Sequence, residues 1–288
     1  MLIRSPLLIL SFERFYLVEK YLDCFFQTTV LEIDEDMDLN PKSGKHRWRG
    51  RLIKAGGGIL LIFGTGLSVF TWKVFSPPSV ERLPLPKTLV SKESPQGQQL
   101  LNQSKSKQDF QPLSAHIQTQ KRPACCGVAS SVMVLNALGS KRQGYRPVTQ
   151  DTFFNSQTQS IRSSYAVTFG GMTLDELAAL LRSHNVKVEV YYASGTTLNQ
   201  FRAQAKANLT RSGVYIIVNY QRSVLGQSKS GHISPLAAYH EQSDRFLIED
   251  VASYKYPPVW VSTENLWKAM NTTDSSSQKT RGYLIVRQ

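Results

Sequence analysis

The residues best suited to chemistry are a cysteine heading an apolar stretch, and a histidine and an aspartate on either side of a polar turn. In QTQKRPACCGVASSVMVLNALG, residues 118–139, the run from Cys126 to Leu138 is apolar or small nearly all round and Gly139 follows it. That is the pattern of a helix buried inside a domain, with glycine as its stop. Pro123 disfavours helix before it, so the pattern predicts Cys126 at a helix N-terminus. There the partial positive charge of the helix end favours the thiolate, which is the nucleophile. Six residues earlier, Gln120 offers an amide donor to charge developing on an attacked carbonyl. Cysteines are also common core residues, so the reading requires a base elsewhere in the chain.

The segment GHISPLAAY (231–239) runs into the turn 241–244, and RFLIED (245–250) leaves it, which reads as two antiparallel strands. Folding this hairpin brings Asp250 within a few residues' register of His232. His232 would take the Cys126 proton and return it to a leaving amine, while Asp250 fixes the tautomer and stabilises the imidazolium. Cysteine, histidine and aspartate in that chain order follow the sequence of roles in papain-like enzymes, where a glutamine at the offset of Gln120 completes the oxyanion hole. His46, His116, His184 and His240 lack such a setting. With no CxxC pair, no structural zinc and no cofactor bound by the protein alone are expected.

Around these residues, helices are expected at 150–155, 173–184 and 198–208, with Thr173 as a cap. Strands are expected at 186–191, 214–220, 231–239, 246–250 and 283–286. Helices first and an antiparallel sheet afterwards predict an α+β, papain-like cysteine protease fold with a buried nucleophile helix.

The chain of 288 residues is 41% apolar and 10% aromatic, which is globular rather than disordered composition. Its three cysteines, Cys24, Cys125 and Cys126, are too few for a disulfide framework. A net charge of +13 raises nucleic acid as a partner, but the distribution argues against it. Lys42, Lys45, Arg47, Arg49, Arg51 and Lys54 stand immediately before the uncharged run 55–72, AGGGILLIFGTGLSVFTW. That run is long enough to span a membrane, and the basic residues place the N-terminus in the cytoplasm. The expected order is a basic cytoplasmic segment at 1–54, a single transmembrane anchor or signal at 55–72, a Pro-rich linker at 73–92 and a catalytic domain over 83–288, outside the cytoplasm. Cleavage of the apolar segment, its burial as a soluble helix, and a start at Met37 are the alternatives.

The blocks QTQKRPACCGVAS, GHISPLAAY, DVASYKYPPVW and LWKAMNT, in this order, resemble the catalytic domain of phytochelatin synthases, particularly their short bacterial form. The resemblance implies Cys126 as nucleophile, His232 as base, Asp250 as its partner and Gln120 in the oxyanion hole. It further implies glutathione as substrate: glycine leaves, and the γ-glutamylcysteinyl group passes to a second glutathione or to water. Cadmium or zinc then enters as a metal–glutathione thiolate, part of the substrate. Arg222 and Lys255 match family cations that could hold substrate carboxylates. Two positions depart from the pattern, Cys125 for a tyrosine and Ser253 for an arginine, so donor chemistry is expected intact and the acceptor side weakened. A papain-like peptidase or amidase on another substrate, and a membrane-anchored binding protein with a dead site, are the competing classes.

Overall fold

The computed structural model describes Trp72 and residues 76–288 other than 141. Its first elements are β1 (Val90–Ser91), α1 (Pro95–Gln103), α2 (Phe110–Ser114), α3 (Cys126–Gly139), α4 (Ser156–Ile161), α5 (Ser164–Gly170) and α6 (Leu174–Arg182). Then come β2 (Lys187–Tyr192), α7 (Leu198–Leu209), β3 (Val214–Gln221), β4 (Gly231–His240), β5 (Arg245–Ile248), β6 (Val259–Ser262), α8 (Thr263–Met270) and β7 (Gly282–Arg287). The strands make one sheet in the order β1-β6-β5-β4-β3-β7-β2, antiparallel at every pairing. The α+β class expected from the sequence is the one observed.

The sheet is covered on both faces, and strand alternation sorts the side chains. Tyr215 and Ile217 of β3 pack with α3 and α6, while Ile216, Val218 and Tyr220 pack with Phe201 of α7 and Leu266 of α8. Burial on both faces is why β3 and β7 read as near-continuous apolar runs. Helix α3 is buried at every residue from Gly127 to Gly139, as its all-round apolar sequence requires. The end of the Met172 side chain packs onto Gly127, where an added Cβ would meet its sulfur at 2.6 Å and require that side chain to shift. Thr173 caps α6 as expected, in a reciprocal box with Glu176.

Three expectations shift. Residues 150–153 form turns rather than a helix, because the Thr152 hydroxyl accepts from the Thr149 amide (2.8 Å) and Asn155 caps α4 one residue later. β5 ends at Ile248, two residues before Asp250: the next residue, Glu249, donates to the Pro235 carbonyl (3.0 Å), but Pro235 has no N–H to return the bond. The Pro-rich stretch expected as a linker at 73–92 is part of the domain from Glu81 onward, where Leu89 is core and β1 pairs with β6. The segment 1–54 and the expected membrane anchor at 55–72 lie outside the described residues, save Trp72. Among the described residues no helix is long and apolar enough to cross a membrane.

Candidate active site

α3 packs across β4, and Ser130 on its second turn donates to the Ile233 carbonyl (3.0 Å), which fixes the helix start beside His232. Burial pushes the Cys126 thiol up to about 11, while the Ile233 amide, the charge of Arg222 and the Gly127 amide pull the other way. His232, opposite Tyr220 of β3, is buried with its Nε2 2.9 Å from Asp250 Oδ1. Burial and the charge of Arg222 bring its imidazole down to about 4, against the pull of Asp250. Both shifts run toward neutral thiol and neutral imidazole, against the pull of the helix end toward thiolate. A carboxylate only accepts, so Nε2 carries the proton and Nδ1 is the basic nitrogen.

Asp250 is fully buried and accepts from three donors. Arg222 Nη2 straddles both carboxylate oxygens (2.8 and 2.7 Å), His232 lies on Oδ1, and the Ala252 amide donates to Oδ1 at 2.8 Å. Burial alone would raise this carboxyl, but the charge of Arg222 and the hydrogen bonds from His232 and the Ala252 amide override it and hold it well below the usual range. Arg222 thus differs from its expected role as a substrate-carboxylate clamp. It is 1% exposed, and its second terminal nitrogen donates to Gln227 (2.6 Å), so its donors are turned inward onto the site's own carboxylate. It sits in a short 3-10 turn, Arg222–Leu225, whose depth no periodic pattern reveals.

Gln120 is also differently engaged from expectation. Its backbone amide donates to the Val251 carbonyl (2.8 Å), tying the loop before α3 to the strand end that carries Asp250. Its side-chain nitrogen donates to the carbonyls of Arg122 (3.0 Å) and Pro123 (2.8 Å) and lies 3.2 Å from the Tyr254 hydroxyl, leaving Oε1 buried without a partner. An oxyanion hole using this amide requires it to turn from those carbonyls. Gln150, which the sequence reading passed over inside a polar stretch, clamps the same loop: Oε1 accepts from Lys121 N and Nε2 donates to Thr119 O, both at 2.9 Å.

Lys255 is half-buried, 5.8 Å from the Tyr254 ring, and its charge is felt at His232. Ser253 pairs with the Thr119 hydroxyl. Cys125 lines a cavity of about 240 Å³ with Lys121, Arg122, Gln150 and Phe154. His184 and His240 make structural contacts, to the Phe153 carbonyl and the Ser243 hydroxyl. Among the described residues no three His, Cys, Asp or Glu side chains converge to hold a metal.

A thiol at a helix N-terminus, beside an imidazole whose far nitrogen is fixed by a buried carboxylate, can attack a carbonyl and form an acyl-enzyme. That chemistry belongs to thiol-dependent acyl-transfer enzymes. The phytochelatin synthase family model matches residues 80–283, and the chain belongs to that family. It is 36% identical to glutathione gamma-glutamylcysteinyltransferase 1 of Lotus japonicus over 67% of this chain and 39% of that protein. It is 33% identical to glutathione gamma-glutamylcysteinyltransferase 2 of Arabidopsis thaliana over 73% of this chain and 47% of that protein. The enzyme of that name from Schizosaccharomyces pombe is 26% identical over 62% of this chain and 43% of its own length. The chain spans about two fifths of the length of the first plant relatives it matches. Among solved structures, xylellain, a cysteine protease from Xylella fastidiosa, aligns at a TM-score of 0.38 and 9% identity over 74% of this chain and 91% of that one, a likeness too slight to bear on activity.

Proposed function

We propose that this chain is a glutathione γ-glutamylcysteinyltransferase of papain-like design in which Cys126 is the nucleophile, His232 the general base and acid, and Asp250 the group that orients it. The observation carrying the reading is the hydrogen bond from His232 Nε2 to Asp250, which leaves Nδ1 as the base on a strand against which the Cys126 helix packs. As sulfur attacks the carbonyl of the bond between cysteine and glycine, its proton passes to Nδ1. The imidazolium that forms is stabilised by Asp250, and its proton leaves with the glycine amine. The thioester is then opened by the amine of a second glutathione or by water. Gln120, its amide turned into the site, and the Cys126 backbone N–H are the proposed oxyanion donors. Lys255 is the proposed holder of a substrate carboxylate.

Cadmium or zinc belongs to this scheme as a metal–glutathione thiolate acceptor. The membrane tether at 55–72 and a catalytic domain outside the cytoplasm complete the reading, on the strength of the basic cluster before that run. Because Ser253 replaces a cation next to the site loop, hydrolysis to γ-glutamylcysteine outpaces polymer synthesis. The test is incubation of the full chain with glutathione, with and without cadmium or zinc, beside Cys126→Ala, with products read by mass spectrometry. Glycine and γ-glutamylcysteine that vanish in the variant are expected. A folded wild-type chain with no turnover would refute glutathione as substrate and favour the peptidase reading, and a predominance of γ-glutamylcysteine oligomers would refute the preference for hydrolysis.

A further inference from the structure

The segment 81–92 crosses the elements that carry the site and touches them at three places. Glu81 and Leu83 donate their backbone amides to the carbonyls of Tyr254 and Lys255, both at 3.0 Å. Pro86 packs against Gly226, where an added Cβ would meet its ring at 3.2 Å, and Gly226 closes the turn that holds Arg222. Lys92 donates its amide to the Pro258 carbonyl (2.9 Å) and its Nζ to Glu249 (3.4 Å), a carboxylate buried next to Asp250. One strap of chain, extended over 81–86 and turning at 86–89 where the Leu89 amide donates to the Pro86 carbonyl (3.0 Å), thus spans the turn behind Asp250 and both ends of the loop after it. That loop carries Tyr254, whose hydroxyl meets Gln120, and Lys255, whose charge reaches His232.

We infer that Glu81 and Leu83 are positioning residues of the substrate site: their two backbone donors hold the Tyr254–Lys255 carbonyls, and so aim the Tyr254 hydroxyl and the Lys255 cation at bound substrate. The substrate half of this inference rests on the proposed activity, and the structural half does not. Prolines at 84 and 86 already keep this stretch extended, so a further proline removes a donor with little change of path. Glu81 is exposed, which makes its side chain dispensable to the fold.

The experiment compares Glu81→Pro and the Glu81→Pro/Leu83→Pro pair with Glu81→Ala and Glu81→Ala/Leu83→Ala, all in the full chain. The alanine variants keep both donors, so they subtract the side chains. Hydrogen exchange at the Lys255 and Tyr256 amides, which both bond to the Ala252 carbonyl, reads the loop without any substrate. Net loss of one hydrogen bond predicts exchange faster by about 3–10-fold in Glu81→Pro than in its alanine control, and loss of both by about 10–100-fold in the proline pair. KM for glutathione is expected to rise by a similar factor, about 3–10-fold, with kcat within about twofold. Alkylation of Cys126 by iodoacetamide, a small neutral probe, should proceed at the wild-type rate. Proline and alanine variants with matching exchange would overturn the inference, whether or not glutathione is turned over. Faster exchange with unchanged KM would overturn the aiming of Lys255 and Tyr254. Absence of turnover in the wild type would instead refute the proposed activity, leaving exchange to judge the strap.

Discussion

Replacing Arg222 by methionine, which is neutral and of comparable length, tests the electrostatic design of the site most directly. Asp250 would keep two donors, His232 at 2.9 Å and the Ala252 amide at 2.8 Å, but lose the cation that straddles both its oxygens. Removing one partner from a buried ion pair costs roughly 3–5 kcal/mol. Arg222 and the His232 imidazolium share one carboxylate, which sets them roughly 6 Å apart. At an effective dielectric of about 20, that separation makes their repulsion about 2.8 kcal/mol, or about two decades in proton affinity. The His232 imidazole, now brought down to about 4, should therefore titrate between about 5 and 6 in Arg222→Met. Two assays follow. Urea unfolding at pH 7 should show the loss of roughly 3–5 kcal/mol. The sign of its pH dependence is fixed, because a depressed carboxyl contributes stability above its ordinary value and loses it as pH falls, so the deficit shrinks below about pH 4. The acid limb of Cys126 alkylation by iodoacetamide should move up by one to two pH units in the variant, an order-of-magnitude shift from the same Coulomb estimate. An acid limb that stays in place, together with a stability loss under about 1 kcal/mol, would refute the view that Arg222 controls this site through Asp250.

Two other outcomes are specific to this chain. Asp109 is fully buried with neither carboxylate oxygen bonded, and burial pushes it up to about 9, so the folded protein binds a proton that the unfolded chain releases above 3.8. Stability should then fall as pH rises from 4 to 9, by roughly 5 kcal/mol at pH 8, and Asp109→Asn should flatten that slope in urea unfolding at pH 5 and pH 8. Ser253→Arg, which restores a cation beside Thr119 and Lys255, should raise the ratio of oligomer to γ-glutamylcysteine by about 3–10-fold in mass spectra, the worth of one charge-assisted hydrogen bond.

What could be read from the sequence was whatever leaves a periodic or capped trace. The all-round apolar run of α3, the hairpin β4–β5 about its polar turn and the Thr173 cap were all visible, and the hairpin was enough to bring His232 to Asp250. Arg222 was singled out only by the family resemblance, and for substrate rather than for Asp250, because an arginine in a four-residue turn looks like surface charge until the turn is seen folded beneath Tyr256, whose ring lies 5.1 Å from the guanidinium. The strap was misread for the opposite reason: prolines predict extended backbone correctly but say nothing of whether its free amides find carbonyls. Gln120 was legible as a residue and not as a rotamer, since offset along the chain does not fix where an amide points. The roles of all these residues rest on the experiments above.

Helix α3 also sets an order of events for the newborn chain. It is apolar on every side, and the strand that Ser130 grips lies about a hundred residues further on, at Ile233. Until β3, β4 and β5 have been made, this stretch has nothing to sink into, and the thiol at its head has neither imidazole beside it nor carboxylate behind. A ribosome-bound chain therefore carries an exposed greasy segment together with a cysteine of ordinary thiol reactivity that has no base or orienting carboxylate. Catalytic competence is acquired only on completion of the sheet that hides both, so assembly itself arms the nucleophile.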